Sequence, residues 1–453
     1  MSLPHYFLAD LPAEATLTPK LLAETCAALK HNRRHYLVTR TTDDIIGALV
    51  EVAAGWLQPE GELRQLALDV GPVELGFSRP TLARGLDEFF RQLTRENFER
   101  LLEQEFSEVQ RLDELVASRV ERASGKTALA TGPGLLVHIA AGNIPNPTLT
   151  SMIFGLLVRS AQVVKCGRGT TLLPRLFAHS LYRVDPKLAA CLEVVEWPGG
   201  ATELEQVLWA VADCVTATGR DETLVKIQRE LPHPIRFLGH GHRLSFGYVA
   251  RDLLNLAEVD HLVRAAADDV TAWDQLGCLS PHVFFVQNGG ALAPEQFAAK
   301  LAGELERCER TAPRGGVPTA TAAIIATRRQ IYQMRSAQGE ATHVWQSPDS
   351  TAWTVVCEAE SPFPVSCLHR FIHIRPVSGV TEVLQVADAH RRQVSTVGLA
   401  VPRSQWAGVA RQLGRWGASR ICPLGQMQRP PLTWRQDGRP ALADLVTWTD
   451  CES

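Results

Sequence analysis

The sequence predicts an α/β protein with a helical N-terminal region, a doubly wound domain on a parallel sheet, and a second α/β domain. Three observations support this. Residues 1–124 read as helical patterns punctuated by Pro12, Pro19, Pro59 and Pro72. After Gly125, short runs of continuous apolar residues alternate with helical patterns, as a parallel sheet covered on both faces requires. The alternation resumes from about Ser245. A length of 453 residues suits two or three domains, and 45% apolar with 21% charged residues is an ordinary globular balance. The expected domains are residues 1–124, helical and packed on the domain that follows; 125–244, the first α/β domain; 245–425, the second; and 426–453, a C-terminal segment.

In chain order, helices are expected at Lys20–Leu29 and Thr41–Trp56. Residues 81–126 carry 8 Lys/Arg and 10 Asp/Glu, and Phe98, Leu101, Leu102, Phe106, Val109, Leu112, Val116 and Val120 recur at helical spacing. Such a stripe reads as an amphipathic helix covering a core, with a partner-docking face as the rarer alternative. Strands follow at Leu135–Ala140, Gln162–Cys166, Leu192–Trp197 and Cys214–Ala217. Helices at Thr148–Ser160, Leu172–Leu181, Thr202–Ala212 and Glu222–Glu230 separate them. In the second region the candidate strands are His282–Val286, Trp353–Val356, Phe371–Ile374 and Val397–Val401, and the helices Pro294–Arg310, Thr319–Ala337 and Val380–His390.

Charge and cysteine usage exclude several classes. A net charge of −3 does not indicate a nucleic-acid binder. None of the ten cysteines forms a C-x-x-C, so zinc ribbons and thioredoxin-like sites are not expected; neither is a disulfide scaffold at this size. The opening MSLPHYFLADLPAE lacks a basic n-region and a cleavage pattern. The longest stretch without charged side chains, Thr127–Val158, is broken by seven Gly and Pro residues. The expectation is a soluble cytoplasmic chain with reduced thiols. There is no G-x-G-x-x-G, full P-loop, G-x-S-x-G or H-E-x-x-H. His240-Gly241-His242 reads as structural or solvent-facing histidines, and no metal is expected.

Four landmarks carry chemistry together. Ala141-Gly142-Asn143-Ile144-Pro145 follows a strand; its Asn could donate to an oxyanion, although the residues equally make a turn. Val163-Val164-Lys165-Cys166-Gly167-Arg168 ends a strand, where open α/β sheets bind ligands; Lys165 and Arg168 could hold a ribose and a phosphate, or be solvated charges. Thr216-Ala217-Thr218-Gly219-Arg220-Asp221-Glu222 leads from strand to helix, whose N-terminus can receive a phosphate, although Asp221 and Glu222 equally suit an ordinary first turn. Asp274-Gln275-Leu276-Gly277-Cys278-Leu279-Ser280-Pro281 puts a Cys on a turn. Asn143 precedes Lys165 by 22 residues, Gly219 by 76 and Cys278 by 135.

This succession resembles the aldehyde dehydrogenase superfamily over roughly residues 125–425. The runs GRDETL, RFLGHGHRLSFG and GCLSPHVFFV resemble its LuxC-type branch, the bacterial fatty-acyl-CoA reductases. The resemblance implies an aldehyde-dehydrogenase-like fold, with a Rossmann-type cofactor domain at 125–244 and a catalytic domain at 245–425. It implies Cys278 as nucleophile, Asn143 with the Cys278 N–H as oxyanion hole, Lys165 on the adenosine ribose, and Gly219 with Arg220 at the pyrophosphate. Glu360, before Pro362-Phe363-Pro364, would match the Glu that orients the nicotinamide ribose.

Two departures sharpen the chemistry. Where hydrolytic members carry a catalytic Glu, this chain has Leu238-Gly239-His240-Gly241-His242, with no carboxylate. Where NAD-specific members carry a Glu three residues after the ribose Lys, it has Arg168, which favours a 2′-phosphate and hence NADPH (NADP). The implied reaction is NADPH-dependent reduction of a long-chain fatty acyl-CoA, or acyl-protein thioester, to a fatty aldehyde. His240 or His242 is a candidate to protonate the departing thiolate. Partner subunits for fatty-acid processing and a homo-oligomer are implied as well. Open alternatives are an aldehyde dehydrogenase working in the oxidative direction and a non-catalytic subunit.

Overall fold

The computed structural model describes residues 3–12, 14–140, 142–167, 169–339, 341–359 and 362–452. The chain divides into two compact units: Met1–Val70, Leu86–Gly241 and Pro431–Ser453 form the first, Gly71–Gly85 and His242–Pro430 the second.

In the first unit, β1 (Lys126–Thr131) precedes β2 (Leu135–Ile139), β3 (Ala161–Cys166), β4 (Leu192–Glu196), β5 (Cys214–Thr218) and β6 (Arg236–His240). The sheet order is β4-β3-β2-β5-β6, and every pairing is parallel. Helices Asn146–Leu157, Leu172–Val184, Thr202–Val211 and Asp221–Glu230 make the connections. Strand residues Leu135, Val137, Val163 and Val215 share one buried cluster with Leu22, Cys26 and Leu29 of helix Pro19–Asn32. That helix begins where Thr18 accepts the Leu21 N–H, with Pro19 at its first position. Helix Thr42–Leu57 begins with a capping box between Thr41 and Asp44.

The stripe from Phe98 to Val120 is not one helix. Helix Arg95–Phe106 buries Phe98, Leu101, Leu102 and Phe106, then ends at Ser107, whose φ of 67° is left-handed. Beyond it Arg159 draws the chain into another path: its guanidinium donates to Leu112 O at 2.7 Å and pairs with the Asp113 carboxylate. Val116 then bridges Ala128 of β1, and Val120 is exposed.

The second unit holds β7 (Leu244–Val249), β8 (Pro281–Gln287), β9 (Thr342–Gln346), β10 (Thr354–Glu358), β11 (Phe371–Val377), β12 (Val394–Ala400) and β13 (Arg420–Pro423), in the order β13-β12-β7-β8-β11-β10-β9. All neighbours are parallel except the edge strand β9. The strands alternate between two buried faces: Phe284, Val286 and Ile374 pack with helices Val259–Thr271 and Pro294–Thr311, while Phe246, Phe285, Val397 and Leu399 line the other side. The helix expected at Val380–His390 is α-helical only over Val380–Ala387 and continues as a 3₁₀ turn.

Back in the first unit, β14 (Thr447–Glu452) pairs antiparallel with β1, from Lys126↔Glu452 to Thr131↔Thr447. Neither strand follows from the sequence reading. Among the described residues, no helix is long and apolar enough to cross a membrane.

Candidate active site

The strand order of the first sheet reverses between β2 and β5, so the loops after these two strands flank the crevice at the sheet's C-terminal edge, the usual ligand position in open α/β sheets. After β2 the loop carries exposed Asn143 into helix Asn146–Leu157. After β5, Gly219 donates its N–H to His240 O at 3.1 Å and Arg220 serves as N-cap of helix Asp221–Glu230. Among the described residues the Arg220 side chain makes no capping bond at this N-terminus. Among the described residues, and leaving aside its two chain neighbours, no heavy atom lies within 4 Å of where a Cβ on Gly219 would stand, which leaves room beside its backbone.

Lys165, on β3, belongs to the same edge. Its Nζ lies 5.8 Å from the centre of the Trp197 ring, a cation–π distance. Burial pulls its amine below the ordinary lysine value, while Glu205, Cys166 and Glu196 push back. Among the described residues, the Trp197 Nε1 and the Asn146 Oδ1 are buried without a hydrogen-bond partner. An uncapped helix N-terminus, a buried amine and an open glycine at a switch point fit a dinucleotide: the helix would take a phosphate and Lys165 a ribose.

The structure thus brings Asn143, Lys165, Gly219 and Arg220 to one sheet edge. Arg168 and Glu360 lie outside the described residues. Of the tandem histidines, His240 is bonded through Nδ1 to Asp437 at 2.9 Å. His242 opens the second unit, which also holds His282, whose imidazole burial pulls down to about 4.

Cys278 stands in the second unit, on the turn that enters the N-terminal end of β8. Helix Val259–Thr271 ends just before it, and Trp273, Asp274 and Gln275 follow with φ of 49°, 50° and 65°. The turn closes with Ser280 N donating to Gly277 O at 3.0 Å. Ser245 Oγ donates to Cys278 O at 2.9 Å and accepts the Thr396 N–H at 3.2 Å, fixing the peptide that carries the cysteine. Gln275 Nε2 donates to Pro281 O at 2.8 Å. Sequence reasoning quoted the stretches that hold Ser245 and Gln275 but gave neither residue a role, since a side-chain bond to a distant backbone group leaves no local pattern.

The ten thiols are not equivalent. Burial pushes Cys26 up to about 11 and Cys166, Cys191, Cys214, Cys357 and Cys422 up to about 12; Cys308 and Cys367 are raised too. A thiol held protonated is a poor nucleophile. Cys278 is half-buried and Cys451 is exposed, on β14 of the first unit.

The fold is that of the aldehyde dehydrogenases. An NAD-dependent benzaldehyde dehydrogenase from Corynebacterium glutamicum superposes with a TM-score of 0.70 at 13% identity, over 97% of this chain and 91% of that one. An aldehyde dehydrogenase from Brucella melitensis biovar abortus 2308 gives 0.71 at 12% identity, over 96% and 90%. Residues 37–448 match the family described as acyl-CoA reductase (LuxC), and the chain belongs to that family. Relatives include the long-chain acyl-protein thioester reductases of Aliivibrio fischeri, 23% identical over 64% of this chain and 58% of that protein, and of Vibrio harveyi, 23% identical over 57% and 52%. The matched region thus spans less than two thirds of the length of these relatives.

Proposed function

We propose that this chain reduces a long-chain fatty acyl thioester, acyl-CoA or acyl-protein, to a fatty aldehyde, with the acyl group carried on Cys278. One observation carries the reading. Cys278 occupies the position at which the family resemblance asks for a nucleophile, half-buried on a fixed turn, while eight of the other nine thiols are pushed up by burial.

In this reading the Cys278 thiolate attacks the thioester carbonyl and the carrier thiol leaves, so that one C–S bond forms as another breaks. Asn143 and the Cys278 N–H donate to the oxyanion; losing one such donor typically costs about 2.7–4 kcal/mol of barrier. A bound NADPH would supply the hydride that reduction of the acyl group to the aldehyde requires, and release of the aldehyde would return Cys278 to its free thiol. Lys165 would hold the adenosine ribose, Gly219 and Arg220 the pyrophosphate, and Glu360 the nicotinamide ribose. The preference for NADPH rests on Arg168 in the sequence. The 125–244 segment is the cofactor domain and 245–425 the catalytic one. The Leu238–His242 stretch offers no carboxylate to activate water, which favours transfer of the acyl group over its hydrolysis.

The test is incubation with a labelled long-chain acyl-CoA without NADPH, followed by mass spectrometry. Label is expected on Cys278; label elsewhere, or none, overturns the assignment. Exchanging Arg168→Glu is expected to move the NADPH-to-NADH turnover ratio toward NADH.

A further inference from the structure

The loop from Leu424 to Arg429 is held by two buried side chains. The Asp269 carboxylate accepts the N–H groups of Gly425 and Met427 at 2.6 and 2.9 Å. The Arg420 guanidinium donates to Met427 O at 2.6 Å, Gln426 O at 2.8 Å and Arg429 O at 3.4 Å. One buried acid and one buried base thus take the loop's donors and acceptors separately. Two glycines allow the close fit. A Cβ on Gly398 would stand 2.6 Å from the Met427 sulfur, and one on Gly425, whose φ is 86°, would stand 2.9 Å from the Ala265 Cβ.

This fixed loop reaches the nucleophile turn. Gln428 Nε2 donates to the Oγ of Ser280, a fully buried residue two positions after Cys278. Burial pulls Arg420 below the ordinary arginine value, and Cys422, Asp269 and Cys278, in that order, push back. Cys422 is held protonated, at about 12, and Asp269 is raised to about 7, so neither fully cancels the guanidinium at neutral pH. A cation near a cysteine favours its thiolate.

We propose that Arg420 and Gln428 are positioning residues for Cys278: Arg420 holds the 424–429 loop and stands as a fixed positive charge in reach of the thiol, and Gln428 ties that loop to the turn. The proposal rests on the reading of Cys278 as nucleophile. It makes the C-terminal part of the second unit part of the nucleophile's support, although it supplies no reacting group.

The experiment follows Cys278 alkylation by iodoacetamide across pH in the full chain, reading the Cys278 peptide by mass spectrometry. Arg420→Met is expected to move the midpoint up by about one pH unit, an approximately tenfold loss of rate at pH 7. Arg420→Lys, which keeps the charge, is expected to restore it. A midpoint unmoved in folded Arg420→Met overturns the charge role. Gln428→Leu leaves the cation in place; it is expected to slow Cys278 acylation by labelled acyl-CoA about tenfold with the alkylation midpoint unchanged. Acylation at the full rate overturns the positioning role, whether or not Arg420→Met folds. Acyl label on another cysteine of the unaltered protein overturns the nucleophile reading instead, an outcome the alkylation profile does not produce.

Discussion

Arg370 and Asp274 form a buried ion pair in which both residues have left-handed backbone. The Arg370 Nε and Nη2 approach Asp274 Oδ1 at 2.9 and 2.7 Å, with side chains 1% and 3% exposed. Each belongs to a run of the same kind: Trp273, Asp274 and Gln275 on one side, Leu368, His369 and Arg370 on the other, all non-glycine with positive φ. A left-handed L-residue costs roughly 1–2 kcal/mol, so these runs persist because something holds them. Asp274 also accepts the Gly315 N–H, Arg370 reaches Glu309 and Ala312 O, and Gln275 donates to Phe371 O. The knot lies immediately before the Cys278 turn.

Breaking this pair is expected to be costly. Arg370→Ala leaves a buried carboxylate uncompensated beside two strained runs, and the expected loss is about 3–5 kcal/mol of unfolding free energy. Urea unfolding with the slope checked for constancy measures it. A loss below about 1 kcal/mol would mean that the surrounding hydrogen bonds hold the knot without the charge.

Differential burial predicts an order of thiol reactivity. Native protein treated with iodoacetamide at pH 8 is expected to take label at Cys278 and Cys451 first, with Cys166, Cys191, Cys214, Cys357 and Cys422 reacting only after denaturation. Peptide mapping at successive times gives the order. Labelling of Cys166 ahead of Cys278 in folded protein contradicts the burial argument.

The elements that position this chemistry were legible where one short segment carries its own pattern. β2, β3, β4 and β5 announce themselves as continuous apolar runs because both faces of the sheet are covered. β14 was not legible: all its residues are exposed, and its partner β1 lies more than 300 positions earlier. The Phe98–Val120 stripe misled because periodicity does not record a break at Ser107 or the pull of Arg159 on Asp113. At the candidate site, Cys278 stood out by its turn and spacing. The side chains that fix it, Ser245 and Gln428, come from segments far off in sequence and carry no local signature.

Glu193 predicts a pH dependence of stability. Burial raises its carboxyl from the ordinary 4.5 to about 8, against the N–H groups of Leu8 and Val194, which lower it, and with Asp10 raising it further. A raised carboxyl means that, between about 4.5 and 8, the folded chain keeps a proton the unfolded chain has released. This contribution to stability is therefore fully present below pH 4.5 and lost as pH rises through 8. Glu193→Gln, neutral throughout, is expected to flatten that slope and to gain stability at pH 8 relative to the unaltered chain, by a few kcal/mol at most. Unfolding free energies at pH 5, 6.5 and 8 decide; parallel profiles for the two proteins would place the titration elsewhere.

Lys165 separates binding from stability. Its amine is buried on β3 against Trp197, and burial disfavours its charge, so holding it there carries a desolvation cost. If a ribose is its proper partner, Lys165→Met removes a charged hydrogen bond worth about 1.5–3 kcal/mol in the complex, so the Kd for NADPH should rise roughly 10- to 100-fold. The same substitution replaces a desolvated cation with an apolar chain of similar length, so the melting temperature without cofactor should stay level or rise. Calorimetric titration gives the first quantity and thermal unfolding the second. A weaker complex with undiminished stability is the signature of a residue kept for its ligand. A fall in melting temperature with unchanged Kd would instead make the Lys165–Trp197 contact a structural cation–π pair, and the ribose would have to be held by another group at this sheet edge.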